Sequence, residues 1–383
     1  MGMMVFGFTL FSFFVCIADG GYEIYIDHFI RERTGHLQIH QKGYLDNPRF
    51  FTAIKDPKTV TDDLGTFSEI ESTSSRIHFG SLSFFKKKTQ GVQIMAVDPE
   101  KEAMLTTLKK RVNRGVYFSG SSGHEVILGK GVSEVLKAKV GSDIYLIGQG
   151  ADGSIANDSF KVIGIIDHPG RGMDDQKVYM PLRIASEFLS FGDRIHEISL
   201  IVKDGTNIPK LKKKLQQKLG DGLEVSSWEE VEKDFYKAMQ ADKKGDTVAR
   251  FILILVMAIG VFNTVLMSIL ERTREFGVIK AIGGRPIDIA KLIFIENFIM
   301  ALFSIAIGSI FSTFLNYYFS KYGIDLATPI EWGGIIIKEI KGKVMLACYT
   351  TPSKIILTTT FFVCLYPSWM AMKILPSKAM RAA

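Results

Sequence analysis

Two long apolar runs separated by a short charged one constrain this chain more than any other feature. Phe251 to Leu270 is 20 residues without a charge, and Leu292 to Phe314 is 23 residues with one, Glu296. At a rise of about 1.5 Å per residue, each run matches a hydrocarbon core roughly 30 Å thick. The stretch between them, ERTREFGVIKAIGG from Glu271 to Gly284, is helix-capable and has nowhere to go but across the end of a membrane bundle. Phe276, Ile279 and Ala281 to Ile282 give it one apolar side, and Arg272, Arg274, Glu275 and Lys280 are expected to face water. Gly283 and Gly284 then stop it.

With 383 residues, 47% of them apolar, and a mean hydropathy of +0.16, the chain is too oily for an ordinary soluble protein. Yet 23% of it is charged, which calls for a sizeable water-soluble domain beside the spans. Met1 to Ala18 is uncharged and rich in Phe. It lacks the basic start and small-residue cleavage site of a signal peptide, so it reads as a retained first span, residues 1–18. The basic flank of a first span is also missing, which reads as a start clipped inside that span. The second span is 247–270 and the third 292–314; the fourth, 355–372, is bent by Pro367. The link 271–291 holds five Lys or Arg in 21 residues, against five in the 40 residues of 315–354, and the tail 373–383 carries Lys373, Lys378 and Arg381. The excess of positive charge places the link and both termini in the cytoplasm. The expected fold is therefore an α-helical membrane protein with four transmembrane helices and a large mixed α+β extracytoplasmic domain, residues 19–246, inserted between helices 1 and 2. The segment 315–354 is expected as an extracytoplasmic loop.

Within 19–246, short runs rich in Ile, Val or aromatics predict strands at 35–41, 91–97, 143–148, 160–167 and 196–202. Helical periodicity predicts helices at 131–138, 182–189 and 208–219, the last with Ile208, Leu211, Leu215 and Leu219 on one stripe. Asp152-Gly153 and Asp204-Gly205 read as turns. Trp228 to Lys244 reads as an amphipathic stalk helix bearing Val231, Phe235 and Met239 at four-residue spacing. Gly245-Asp246 then reads as a hinge and a cap leading into the second span.

Several apparent motifs carry no chemistry. Gly148, Gly150 and Gly153 satisfy the dinucleotide spacing, but no apolar-periodic helix follows, so they read as a hairpin loop. Gly129-Lys130 is followed by Gly131, and no P-loop occurs in these residues. His36 and His40 are roughly 13 Å apart along a strand, too far to share a metal, and read as solvent-facing neighbours of core residues Leu37 and Ile39. Asp167-His168, Asp174-Asp175 and Ser121-Ser122 place no nucleophile beside a base and read as turns. Cys16, Cys348 and Cys364 form neither a disulfide framework nor a metal pattern. The net charge of +7 is spread too thinly for a nucleic-acid face. Asn263 and Glu296 stand out among the polar residues within the spans; Glu296, near the cytoplasmic interface, reads as a local ion-pair or helix-end contact.

These residues resemble those of the FtsX-like permeases of ATP-binding-cassette systems, in particular the lipoprotein-releasing and macrolide-exporter types. The resemblance is strongest at NTVLMSILERTREFGVIKAIGG, through Asn263, Glu271, Arg272, Glu275, Gly277, Ala281 and Gly283. It continues at Glu296, Pro367, Ala371, Pro376 and Ala379 to Arg381, and through RIHFG, VDPEKE and FKVIGII in the outer segment. It implies a non-catalytic permease that works as a dimer, with an identical chain or a paralogue, on two cytoplasmic ATPase subunits that bind the ATP and Mg. Glu271 to Gly284 would be the coupling helix seated in an ATPase groove, with Phe276 and Ile279 as apolar anchors. The implied setting is a bacterial inner membrane, with release of lipoproteins, where a periplasmic carrier could receive them. The alternatives that the resemblance leaves open are export of a hydrophobic small molecule or peptide and mechanotransmission that activates a cell-wall hydrolase. Phe251, Ile254, Met257 and Phe262 would wall an acyl-chain cavity in contact with lipid.

Overall fold

The computed structural model describes residues 1–120, 123–166, 175–332 and 335–374. Ser121, Ser122, Asp167, His168, Asp174, Pro376 and Ala379 to Arg381 lie outside the described residues. The chain divides into two compact units. One comprises Met1–Tyr25, Ala238–Thr328 and Lys338–Ala383; the other comprises Ile26–Lys237 and Pro329–Ile337.

Helix α1 (Gly2–Phe29) runs on into a π-helical turn, Ile30–Thr34. Strand β1 (Leu37–Gln41) is followed by helix α2 (Pro57–Leu64), then by the long antiparallel pair β2 (Ile70–Phe85) and β3 (Lys88–Val97). Next come helices α3 (Pro99–Leu105) and α4 (Leu108–Arg111), strands β4 (Val112–Gly115) and β5 (Glu125–Gly129), and helix α5 (Lys130–Leu136). Strands β6 (Asp143–Gln149), β7 (Ile155–Ile166) and β8 (Lys177–Pro181) precede helix α6 (Leu182–Phe188). Strand β9 (Glu197–Val202), helix α7 (Ile208–Leu219), strand β10 (Leu223–Ser227) and helix α8 (Trp228–Val231) complete the α+β unit.

Its ten strands form one mixed sheet in the order β10-β1-β9-β2-β3-β8-β5-β7-β4, with β6 pairing β2 and β7. β9, buried at every position, runs antiparallel between β1 and β2. The stripe on α7 joins the core: Leu211 and Leu215 are buried, and Ile208 and Leu219 pack beside them. Asp56, Asp98 and Asn207 cap α2, α3 and α7 through their side chains, each with a proline in the first helical turn. The glycine-rich loop is a hairpin between β6 and β7, with Gly150 N–H donating to Ser154 O at 2.9 Å and Gly153 at φ 85°.

Three local expectations need correction. His40 is 1% exposed rather than solvent-facing, with its Nε2 3.8 Å from the buried Glu197 carboxylate. The stalk is not one helix from Trp228. A Ser227–Glu230 capping box makes α8 a single turn that ends at Glu232, held by Arg33 at 3.1 Å. A new helix, α9 (Lys233–Glu271), then runs without interruption through Gly245-Asp246. A helical glycine costs about 1 kcal/mol relative to alanine, too little to break a long helix flanked by good helix formers. No hinge is present there.

Helices α10 (Thr273–Ala281), α11 (Pro286–Tyr322) and α12 (Ala347–Met372) follow, with a hairpin of β11 (Ile324–Trp332) and β12 (Ile335–Ile340) between α11 and α12. The expected loop 315–354 is thus partly helical and partly strand. α11 continues to Tyr322, where Gly323 at φ 68° ends it. Among the described residues α1, α9, α11 and α12 are long and apolar enough to cross a membrane. Small residues set their spacing. A Cβ on Gly308 of α11 would lie 2.8 Å from Phe8 of α1, and one on Gly260 of α9 would lie 2.6 Å from Met3.

Candidate functional site

Between α9 and α11 the chain turns twice within a few residues. α9 stops at Glu271, Arg272 leaves helical geometry at φ −100° and ψ 14°, and α10 begins at Thr273. At the other end Gly284 N–H donates to Ile279 O at 2.9 Å, and Gly283 adopts φ 98°. A Cβ on Gly284 would lie 2.7 Å from that same Ile279 oxygen, so the closure requires glycine.

Inward contacts fasten α10 to its own bundle. Phe276 is 1% exposed and joins the core of Val265, Ile269, Ile289 and Ile293; Gly277 is buried beside it, and Ile279 is half-buried. Arg272 lies over the Phe276 ring, 5.5 Å from its centroid, and donates to Glu275 at 2.8 Å and to Glu296 of α11 at 2.6 Å. Lys280 Nζ donates to the Met372 and Ile374 carbonyls, at 2.5 and 2.8 Å, at the end of α12. So Arg272 and Lys280 are only half-exposed and turn their charged ends back onto the bundle, and Phe276 and Ile279 pack into it rather than forming a free apolar side. The outward stripe is Glu271, Arg274, Glu275, Val278, Ala281 and Ile282, at helical spacing. Ile282 is 81% exposed. One end of this stripe is charged and the other apolar, a surface suited to a partner with a charged rim and an apolar groove.

Glu296 therefore has a partner, Arg272, that the sequence alone did not indicate. Asn263 points away from the bundle on the exposed side of α9. The four cavity residues do not converge. Phe251 is 65% exposed, Met257 is buried against Gly7 of α1, Ile254 packs beside Phe11 and Val15, and Phe262 meets Tyr366 of α12 at 6.0 Å.

The α+β unit holds a charged cluster that pattern reading missed. Arg76, in the middle of β2 and 2% exposed, donates through Nη2 and Nε to the Glu102 carboxylate at 2.7 and 3.1 Å. Its Nη1 donates to Glu197 at 2.8 Å and to the Arg33 carbonyl at 2.7 Å. Thus one guanidinium ties the π-helical turn, α3 and β9 together. His78 Nε2 lies 3.0 Å from the second Glu197 oxygen, and Ser199 donates its hydroxyl to the first. Burial works against the Glu197 charge. The Arg76 guanidinium, with the hydrogen bond from His78 and the nearby His40 imidazole, outweighs it and holds the carboxyl well below its usual range.

His196 is fully buried beside this cluster, and burial pushes its pKa down to about 4. It accepts the His78 N–H at Nδ1, 3.0 Å, and Nε2 meets the Phe50 carbonyl at 2.8 Å, an arrangement only the neutral Nε2–H tautomer satisfies. The sign follows directly. A histidine whose folded pKa lies below its unfolded value of 6.5 binds protons more readily when unfolded, so stability is lost as pH falls from 6.5 towards 4. The expected loss is about 3 kcal/mol, and Glu197 adds to it in the same direction at lower pH. Hydrogen exchange of the β2 and β9 amides across this window reads it; protection that stays flat from pH 7 to 4.5 would disprove it.

Comparison with known proteins agrees with this architecture. The MacB-like periplasmic core domain matches residues 1–218, and the FtsX-like permease C-terminal domain matches residues 247–376. An uncharacterized ABC transporter permease of Methanocaldococcus jannaschii is 26% identical over 53% of this chain and 51% of its own length. The macrolide export ATP-binding/permease protein MacB of Bdellovibrio bacteriovorus is 23% identical over 80% of this chain and 48% of its own length. The lipoprotein-releasing system transmembrane protein LolC of Neisseria meningitidis serogroup B is 20% identical over 76% of this chain and 73% of its own. The chain thus spans about half the length of the first two relatives and nearly three quarters of the third. Since the core-domain match covers more than half of it, the chain belongs to the FtsX-like permeases that carry a MacB-like periplasmic core domain.

Proposed function

We propose that this chain is the permease subunit of an ABC transporter in a bacterial inner membrane, moved by a separate ATPase and releasing lipoproteins on the extracytoplasmic side. In this reading the α+β unit is extracytoplasmic, inserted between the first and second spans, and α10 lies at the cytoplasmic surface. The observation that carries the reading is α10 itself. It is a short helix fastened inward by Phe276, Arg272 and Lys280 and left with an outward stripe from Glu271 to Ile282. Such a helix passes a push from an external partner into α9, α11 and α12 at once. In this reading ATP and Mg are bound by the partner ATPase, and the permease subunit itself is non-catalytic. Two permease chains, identical or paralogous, would face an ATPase dimer. The lipoprotein output is favoured by the likeness to LolC, most of whose length the chain covers. The longer match to MacB supports a second cargo class, a hydrophobic small molecule or peptide.

Co-purification from native membranes identifies the ATPase, the second permease and any lipidated passenger. In that complex, Glu275→Lys reverses one charge of the outward stripe. It is expected to leave the α+β unit folded and ATP hydrolysis running while cargo release falls at least tenfold. Undiminished release, or labelling of position 275 from outside the cell only, refutes the reading.

A further inference from the structure

We propose that Cys16 of α1 and Cys348 of α12 form a disulfide, a modification site that staples the middle of α1 to the start of α12. Both side chains are fully buried in one apolar cluster with Phe11 and Val15. Residues 342 to 345 lie directly over the pair. Lys343 N–H donates to the Cys16 carbonyl at 3.2 Å, and the Cys348 thiol points at the Lys343 carbonyl at 3.7 Å. Met345 N–H donates to the Cys348 sulfur at 3.4 Å, and a Cβ on Gly342 would lie 2.8 Å from the Cys16 sulfur. Both are free thiols within that one cluster, and the same covering segment contacts each of them. Cys364 belongs to a different cluster, with Phe276, Ile293 and Ile356, so it does not compete.

Position gives the pair its chemistry. Cys16 stands three residues before Asp19, which pairs with Arg250, and the covering Lys343 pairs with Glu23 at 2.6 Å. These ion pairs mark the water-facing end of the bundle opposite α10. The inference rests on the topology proposed above, in which that end is extracytoplasmic and oxidising. The oxidant is a protein disulfide of the thiol–disulfide oxidoreductase class. The Cys348 thiolate attacks one of its sulfurs, and the other leaves as a thiolate. The Cys16 thiolate then displaces the oxidant from the mixed disulfide. Two electrons pass to the oxidant, whose two sulfurs leave as thiols carrying the two protons lost here. Because both sulfurs are buried in the folded chain, the exchange belongs to assembly, before residues 342 to 345 close over α1. Once formed, the bond makes α1, that covering segment and the start of α12 move as one piece.

The test counts free thiols by maleimide–polyethylene glycol gel shift on the full chain, denatured directly from membranes. One addition, at Cys364, is expected without reductant and three after reduction. Cys16→Ser is expected to give two additions with or without reductant. Three additions without reductant, even after the membranes are incubated with oxidised glutathione, overturn the staple; so does a reductant-sensitive dimer in its place. A cysteine-free chain carrying Lys101→Cys separates the two readings. If a membrane-impermeant maleimide labels Lys101→Cys from outside while the natural pair stays reduced, only the staple fails. If that site is labelled only from inside, the topology fails.

Discussion

Arg76→Met is expected to destabilise the α+β unit by about 3–5 kcal/mol. The side chain is 2% exposed, and its removal leaves the Glu102 and Glu197 carboxylates buried with no cation between them. Their mutual repulsion and lost solvation dominate; the packing volume of methionine does not replace them. Arg76→Lys retains the charge but cannot make the paired contact with Glu102 together with those to Glu197 and Arg33, so it is expected to fall between wild type and Arg76→Met. Hydrogen exchange resolves the outcome by element. Protection should collapse in β2, β9 and α3, while the amides of α11 and α12 keep theirs. A loss under about 1 kcal/mol, or a loss spread evenly over every helix and strand, would show that Arg76 does not hold this unit together.

Arg76 also marks where reading the sequence runs out. The strands found in advance, near β1, β3, β6, β7 and β9, are apolar or alternating and bury a face that composition reveals. β2 is the longest strand, yet IESTSSRIHFGSLSFF offers Ser, Thr, Arg, His and Gly where an apolar run was sought. It becomes a central strand because Arg76 finds its partners far away in sequence, Glu102 at 26 residues and Glu197 at 121. No local window contains that information. An arginine between apolar strand positions was the available signal, since a buried cation implies a buried anion. The helix of the link was legible because charge, apolar spacing and terminal glycines coincide within fourteen residues. Which side of it faces out was not. Phe276 and Ile279 read from the sequence as anchors in a partner's groove, and the arrival of α11 and α12 makes them part of the bundle's own packing. Arg272 pairs with Glu296 for the same reason: the two lie on different helices, brought together by a turn that spacing alone does not orient.

In the permease proposed above, Phe276→Ala is expected to lower coupled cargo release at least a hundredfold while the proposed ATPase partner continues to hydrolyse ATP. The ring is 1% exposed beneath α10, and truncating such a side chain costs about 3–5 kcal/mol in a packed core. Here that energy seats the helix rather than folding the chain, because α9, α11 and α12 keep their remaining contacts through Val265, Ile269, Ile293 and Ile356. Arg272 also loses the ring beneath it, which loosens its pair with Glu296. A push delivered to the outward stripe would then tilt α10 instead of moving the bundle. Phe276→Leu fills much of the same volume and is expected to retain most of the coupling. The Arg272 and Glu296 pair supplies an independent check. Arg272→Gln and Glu296→Gln should each weaken coupling, and together they should cost little more than either alone, since both remove the same tie between α10 and α11. If Phe276→Ala releases cargo normally, or if the two Gln variants add in full, α10 is not the rigid contact through which force enters the bundle.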